Sequence, residues 1–405
     1  MRFLLLMFLL LMLTACGSGV STPTPPAAPS SATLVQVTAA TPTLPALPTA
    51  TPLAVATSVP SATPIPVASS TPTVTPTATP APLVPVQLTD MGCCTQPFWS
   101  PDSREVRFID KPAADQPVGI WGVAVAEPLI APRFVTNRLA ESTASPLFIV
   151  ETGDATVIER RSDGQRWPIA AANGRSVQVS PDQQRIAWTF TNSDAPSSNQ
   201  VTQLWLANLD GSDAQQVATL PRGGLGGWIN NETLLISGRE SLQAREQILY
   251  ALRLTDGTRS ELVRSERLRG QSLSPSGAWL IYYVAFEPDI TKNGLWLART
   301  DNSAPSMRLD ETLFGSYQWR PCGERCTAAQ DRLLLVPFEV DARYHRLLQF
   351  DPNSGRVQAL TDPATAPLKI ANADWRVSPD GRWVVYVENS DRNLWLLALG
   401  TDQQR

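Results

Sequence analysis

Three aspartates share one setting. Asp102, Asp182 and Asp380 each follow a Ser-Pro pair, at Ser100-Pro101, Ser180-Pro181 and Ser378-Pro379. Carboxylates that converge on a channel can divide acid and base work between them. An aspartate behind Ser-Pro is also the residue type that closes a tight turn, since its carboxylate accepts the backbone N–H two residues on. The turn-capping role is the expectation here. Proline presets φ, and at Ser378-Pro379-Asp380-Gly381 the glycine supplies the positive φ that other residues resist. His345 is the single histidine, so neither a Ser-His-Asp triad nor a histidine-rich metal site can be assembled elsewhere. No Gly-x-Ser-x-Gly elbow occurs, which removes the motif that exposes a serine nucleophile on a strand-to-helix turn. The run Gly223-Gly-Leu-Gly-Gly227 has no helix signal after it and no lysine behind it, so it is not a phosphate loop. Close packing at a channel mouth is its expected role. No catalytic residue, metal ion or cofactor is assigned.

The thiols come in pairs. Cys93 and Cys94 are adjacent, Cys322 and Cys326 lie four apart, and Cys16 stands alone near the start of the chain. Four thiolates make a tetrahedral zinc site only where they converge, and the loop positions argued below put the two pairs on opposite faces. In an extracytoplasmic compartment oxidation is favoured. Cys322–Cys326 then closes a small loop. Cys93–Cys94 forms a vicinal bridge in a strained, reducible ring, whose expected role is to stiffen a turn.

The elements that must position these residues repeat. Trp375–Val377, the Ser378-Pro379-Asp380-Gly381 turn, Trp383–Val387 and Leu394–Leu399 form three short β-branched or aromatic runs separated by turn residues. Clear copies start at Phe98-Trp99-Ser100-Pro101-Asp102, Val177-Gln-Val-Ser180-Pro181-Asp182 and Ser272-Leu-Ser274-Pro275-Ser276-Gly277. Weaker ones centre on Ser145-Pro146, Trp228 and Trp319. The spacing of about forty to fifty residues is that of a four-stranded propeller blade. An all-β propeller follows, with seven blades, or six if the short Ser145 copy is discounted. Asp163-Gly164, Asp210-Gly211, Asp256-Gly257 and Asn353-Ser-Gly355 supply further hairpin turns.

Residues 1–15 read as a signal peptide: Met1-Arg2, then an apolar run from Phe3 to Leu13 too short to span a bilayer. Leu13-Thr14-Ala15-Cys16 resembles the lipobox of bacterial lipoproteins, which implies cleavage before Cys16 and a diacylglycerol thioether on its sulfur. Residues 16–84 are rich in Thr-Pro pairs, from Thr22-Pro23 to Thr79-Pro80, and carry no charge. Such a segment cannot assemble a core and reads as an extended stalk, with a reach on the order of 200 Å at ~3.1 Å per residue. Its Ser, Thr and Pro content also suits O-glycosylation. Residues 85–405 form the propeller.

The chain has 37 acidic and 33 basic residues, for a net charge of −4, and all but Arg2 lie at Asp90 or later. Nucleic acid would require a basic excess that is absent. The Trp-Ser-Pro-Asp and Ser-Pro-Asp-Gly turns, with Leu-Trp-Leu at Leu204, Leu295 and Leu394, resemble the TolB-type propeller repeats of bacterial envelope proteins. The resemblance implies fold far more than function.

Val86-Gln-Leu-Thr-Asp90 matches Val357-Gln-Ala-Leu-Thr-Asp362, the outer strand of the sixth blade. It is therefore expected to complete the last blade and close the ring. In this architecture the first-to-second and third-to-fourth turns share one face. The longer second-to-third loops share the other, where binding usually lives. Arg239, Arg245, Asp289, Lys292, Gly223 and Gly227 are the candidate rim residues. The expected function is that of a monomeric, non-catalytic scaffold, anchored outside the cytoplasm by the lipid on Cys16, that binds an envelope protein or glycan. A small-molecule or signal sensor is the alternative, and an enzyme using channel carboxylates a lesser one.

Overall fold

The computed structural model describes residues 82–399 apart from 91, 95, 140–144, 311–314, 324–325, 338 and 340. The signal peptide, Cys16 and nearly all of the expected stalk lie outside the described residues. Six of the sheets are antiparallel meanders that advance from an inner to an outer strand, and the seventh takes its outer strand from the other end of the described residues. Blade 1 comprises Phe98–Trp99, Glu105–Asp110, Gly119–Ala124 and Arg133–Thr136; blade 3, Val177–Val179, Arg185–Thr191, Val201–Asn208 and Gln215–Pro221. Blade 4 comprises Gly224–Asn230, Thr233–Gly238, Gln247–Arg253 and Arg259–Ser265; blade 5, Leu268–Leu273, Trp279–Val284, Gly294–Arg299 and Met307–Asp310. Blade 6 comprises Ser316–Trp319, Leu333–Val336, Leu348–Asp351 and Arg356–Ala359.

Blade 2 has three strands among the described residues: Leu147–Thr152, Ala155–Arg160 and Arg166–Pro168. The Asp163-Gly164 turn joins its last two as Asp210-Gly211 and Asp256-Gly257 join the third and outer strands of blades 3 and 4. These three are therefore the second, third and outer strands, and residues 140–144 precede them. The short Ser145 copy is a blade, and the fold is a seven-bladed β-propeller. Among the described residues helix is confined to short 3-10 turns such as Ser197–Asn199 and Ile290–Lys292.

Blade 7 closes the ring. Its inner three strands are Ile370–Val377, Trp383–Glu388 and Leu394–Ala398, and Val86–Gln87 pairs outside them, with Val86 opposite Leu396 and Gln87 opposite Trp395. The match with blade 6 extends to single hydrogen bonds. The N–H of Leu88 donates to Leu394 O at 2.8 Å, and the N–H of Leu394 donates to Thr89 Oγ1 at 2.9 Å. In blade 6 Leu360 N–H donates to Leu347 O at 2.8 Å, and Leu347 N–H to Thr361 Oγ1 at 2.9 Å. Leu83, placed in the stalk by the sequence reading, donates its N–H to Leu360 O of blade 6 at 2.9 Å.

The core is divided among the boundaries between blades, as stacked, twisted sheets demand. The cluster between blades 7 and 1 joins Val385, Val387 and Leu394 to Trp99, Phe108 and Trp121; the next, between blades 6 and 7, centres on Leu334, Trp375 and Tyr386. Polar ties reinforce the boundaries. Trp99, Trp228 and Trp319 donate their indole N–H to Arg376 O, Gln178 O and Ser272 O of the preceding blade, at 3.2, 3.1 and 3.3 Å. At the same three boundaries, the third residue of the Ser-Pro turn donates its N–H to a polar side chain of the following blade. These bonds are Asp380 to Ser103, Asp182 to Asn231 and Ser276 to Asp331, at 3.1, 3.1 and 3.2 Å. Gly381 shows why that turn ends in glycine. Its φ is +69°, and a Cβ there would lie 2.0 Å from Pro321 O of blade 6.

Candidate functional site: the rim of second-to-third loops

Second-to-third loops meet the crossings between blades at one end of the sheets, and hydrogen bonds tie the two kinds of segment together. Arg222 N–H donates to Gln200 O at 3.0 Å, Arg239 N–H to Pro221 O at 2.9 Å and His345 N–H to Leu368 O at 2.8 Å. Gly92 N–H donates to Asn393 Oδ1 at 2.8 Å, and Ser265 Oγ to Glu287 Oε1 at 2.6 Å. Third-strand tryptophans pin the loops from below: Trp121 donates to Asp110 O, Trp296 to Lys292 O and Trp395 to Asp391 Oδ2. The rim is a built surface.

The expected rim residues divide by role. Arg245 and Lys292 are exposed in their loops. Arg239 is half-buried and donates from Nη1 to Ala244 O at 2.7 Å, so it shapes its own loop. Burial, followed by the Arg222 charge, pulls its pKa down, with Glu266 opposing. Asp289 is exposed but caps the Ile290–Lys292 turn, accepting from Thr291 N–H at 3.0 Å and from its hydroxyl at 2.6 Å. Those two bonds, with Lys292 nearby, hold its carboxyl below the usual range.

Gly223 lies in the crossing from blade 3 to blade 4, and the rest of the glycine run is strand. Gly224–Asn230 is the inner strand of blade 4, with a register shift between Leu225 and Gly227, where φ reaches +145° at Gly227. At Gly223 a Cβ would stand 2.0 Å from Ser237 O. Close packing is its role, as expected, but inside the blade.

Sequence reasoning passed over one apolar feature of the rim. Phe286 and Ile290, in the loop between the second and third strands of blade 5, are 65% and 76% exposed. Phe286 sits at φ +63°, a region costly for a bulky side chain. The loop is locked around it. Glu287 N–H donates to Asn293 Oδ1 at 2.8 Å, Asn293 Nδ2 donates back to Glu287 O at 3.1 Å, and Lys292 N–H donates to Asp289 O at 3.1 Å. The apolar pair at positions 286 and 290 lies in a stretch otherwise dominated by Glu, Pro, Asp, Lys and Asn.

Cys93 is joined to Cys94 and Cys322 to Cys326. The first pair lies on the rim crossing into blade 1. The second lies between the first and second strands of blade 6, at the other end of the sheets. Cys94 is 7% exposed, within the cluster between blades 7 and 1.

The Ser-Pro-Asp aspartates occupy that other end and are spent on their turns. Ser100 and Ser180 each donate a hydroxyl to Asp102 and Asp182 at 2.6 Å, and Ser378 donates to Asp380 at 2.5 Å. The same serines accept the N–H that opens the next strand, as from Trp383 to Ser378 Oγ at 2.9 Å. The Ser100 bond holds the Asp102 carboxyl below its ordinary pKa. At Asp182 desolvation pushes upward and is outweighed by Ser180 and the Gln184 N–H. His345 Nδ1 accepts Ile370 N–H at 3.1 Å, so the neutral ring carries its proton on Nε2. On this turn face Trp167, Gln184, Arg185, Asn208, Leu209 and Asp210 line an open groove of about 460 Å³.

No protein-family model matches the chain, and no curated protein matches it. The likeness to known proteins is one of fold alone. An oligogalacturonate lyase in complex with manganese aligns at 11% identity with a TM-score of 0.50, covering 80% of this chain and 98% of that one. TolB from Acinetobacter baumannii aligns at 14% identity and a TM-score of 0.38, covering 72% and 78%. The β-propeller domain of the Trilobed protease from Pyrococcus furiosus aligns at 14% and 0.41, covering 62% and 77%.

Proposed function

We propose that this chain is a lipid-anchored, extracytoplasmic propeller that catalyses no reaction and holds an envelope protein against its second-to-third rim. The observation that carries this reading is the Phe286–Ile290 pair, two large apolar side chains presented to solvent on a loop locked by its own hydrogen bonds. Burying a side chain of that size in a partner's pocket contributes about 1.5–3 kcal/mol, and the ordering cost is already met in the free loop. Such anchors favour a protein over a glycan. Cys16 after its apolar run supports the anchor, and the turn-bound aspartates with His345 in a structural bond support a non-catalytic role.

The test compares matched variants of the membrane-anchored chain in a pull-down from envelope extract. Phe286→Ser with Ile290→Ser should abolish capture and leave stability within about 0.5 kcal/mol, as exposed positions do. Gln184→Ala with Asp210→Ala, on the opposite face, should leave capture intact. Cys16→Ser should release the chain from the membrane fraction. Capture lost only from the turn-face pair would instead move the working surface to the opposite face, beside the groove at Trp167.

A further inference from the structure

The segment from Asp90 to Pro97 crosses from the outer strand of blade 7 to the inner strand of blade 1, and it carries the Cys93–Cys94 bridge. Cys94 is buried among Leu394, Leu396 and Val385 of the last blade and Trp99, Phe108 and Trp121 of the first, while Cys93 is half-buried at the edge of that cluster. The crossing is sharply folded: φ is +63° at Gly92, +83° at Cys94 and +51° at Gln96. That region is unfavourable for residues with a Cβ, so the path persists only while something constrains it. The closing strand beside it is the shortest outer strand of a four-stranded blade, with two paired residues.

We propose that the Cys93–Cys94 bridge is a redox latch on ring closure: a dithiol reductant opens it, the crossing relaxes, and residues 86–90 loosen from the last blade. The chemistry is thiol–disulfide exchange. A thiolate of the dithiol attacks Sγ of Cys93, the more exposed sulfur; the S–S bond breaks, and Cys94 leaves as a thiolate that takes a proton from solvent. The second thiolate of the reductant then attacks its own sulfur in the mixed disulfide and releases Cys93. Two electrons pass to the cysteine pair, and the reductant departs as a cyclic disulfide.

The test uses the full chain with Cys322→Ala and Cys326→Ala, so that of the two bridges only the vicinal one titrates with dithiothreitol. Alkylation followed by mass spectrometry scores reduction of Cys93 and Cys94. Hydrogen exchange follows the amides of Leu88 and Leu394, which are bonded across the closing ladder. On reduction those amides should exchange about tenfold faster or more, reversibly on reoxidation, with the Thr233–Gly238 strand of blade 4 unchanged. A further Cys93→Ala, Cys94→Ala variant should exchange like the reduced form and ignore dithiothreitol. Should it not fold, the titration alone decides. A reduced pair with unchanged exchange, acceleration spread evenly over all blades, or a dithiothreitol response surviving in the alanine variant would each overturn the proposal.

Discussion

The indole N–H of Trp228 crosses a blade boundary to reach Gln178 O. Trp228→Phe keeps most of the apolar contact and leaves that carbonyl without its donor, so it should lower stability by about 1–2 kcal/mol in a denaturant titration. His345 makes a second residue-scale prediction. Burial, followed by the Lys369 charge, depresses its pKa against a smaller opposing effect of Glu339. The unfolded chain therefore binds the proton more readily than the folded one. Stability should fall as pH drops below about 6.5, the ordinary histidine value, and level off once the folded-state pKa is passed. Carboxylates such as Asp102, with their lower values, act only further into acid. In His345→Asn, whose side-chain oxygen can still accept the Ile370 N–H, this step should vanish from melts taken between pH 7 and 5. Turn chemistry was legible at this scale because Ser-Pro-Asp is a local motif whose bonds close within five residues. The cross-blade indoles were not, since a tryptophan's distant acceptor leaves no mark on its neighbours. Phe286 was missed for a related reason: exposure is decided by what packs nearby, not by residue type.

The closing strand is the element on which the ring depends. Deleting residues 82–90 removes the Val86–Gln87 ladder together with buried Leu88 and Thr89, and bares the edge of Leu394–Ala398. Its melting midpoint should fall well below that of the intact chain, while a deletion of residues 21–80 should leave the midpoint in place. This strand was legible because the Leu-Thr-Asp match with blade 6 encodes the same hydrogen-bond frame in both. The strand character of the glycine run of blade 4 was not legible for the opposite reason. Glycine weakens strand propensity, and the reasons for it here lie in neighbours distant in sequence: Ser237 O stands 2.0 Å from a Cβ at Gly223, and the Leu235 side chain 2.9 Å from one at Gly226. Blade 2 was hardest to count from sequence because its Ser145 copy is short, and the Asp163-Gly164 hairpin identifies it only once its strands are seen to pair.

At the scale of the whole molecule, the two faces are built differently. One carries the Ser-Pro turns, whose carboxylates are satisfied locally and whose ties fasten blade to blade, together with the exposed Leu129 and Ile130 between the third and outer strands of blade 1. The other carries loops that differ from blade to blade, with Phe286 and Ile290 presented to solvent on one of them. A photo-crosslinking side chain placed at Ile290 of the membrane-anchored chain, with Asp210 as the comparison position, tests the proposed role of the rim loops in intact cells. The expected result is one discrete protein adduct from position 290, lost when Phe286 is changed to serine and absent from position 210. An adduct formed from position 210 alone would contradict it and move the working surface to the turn face.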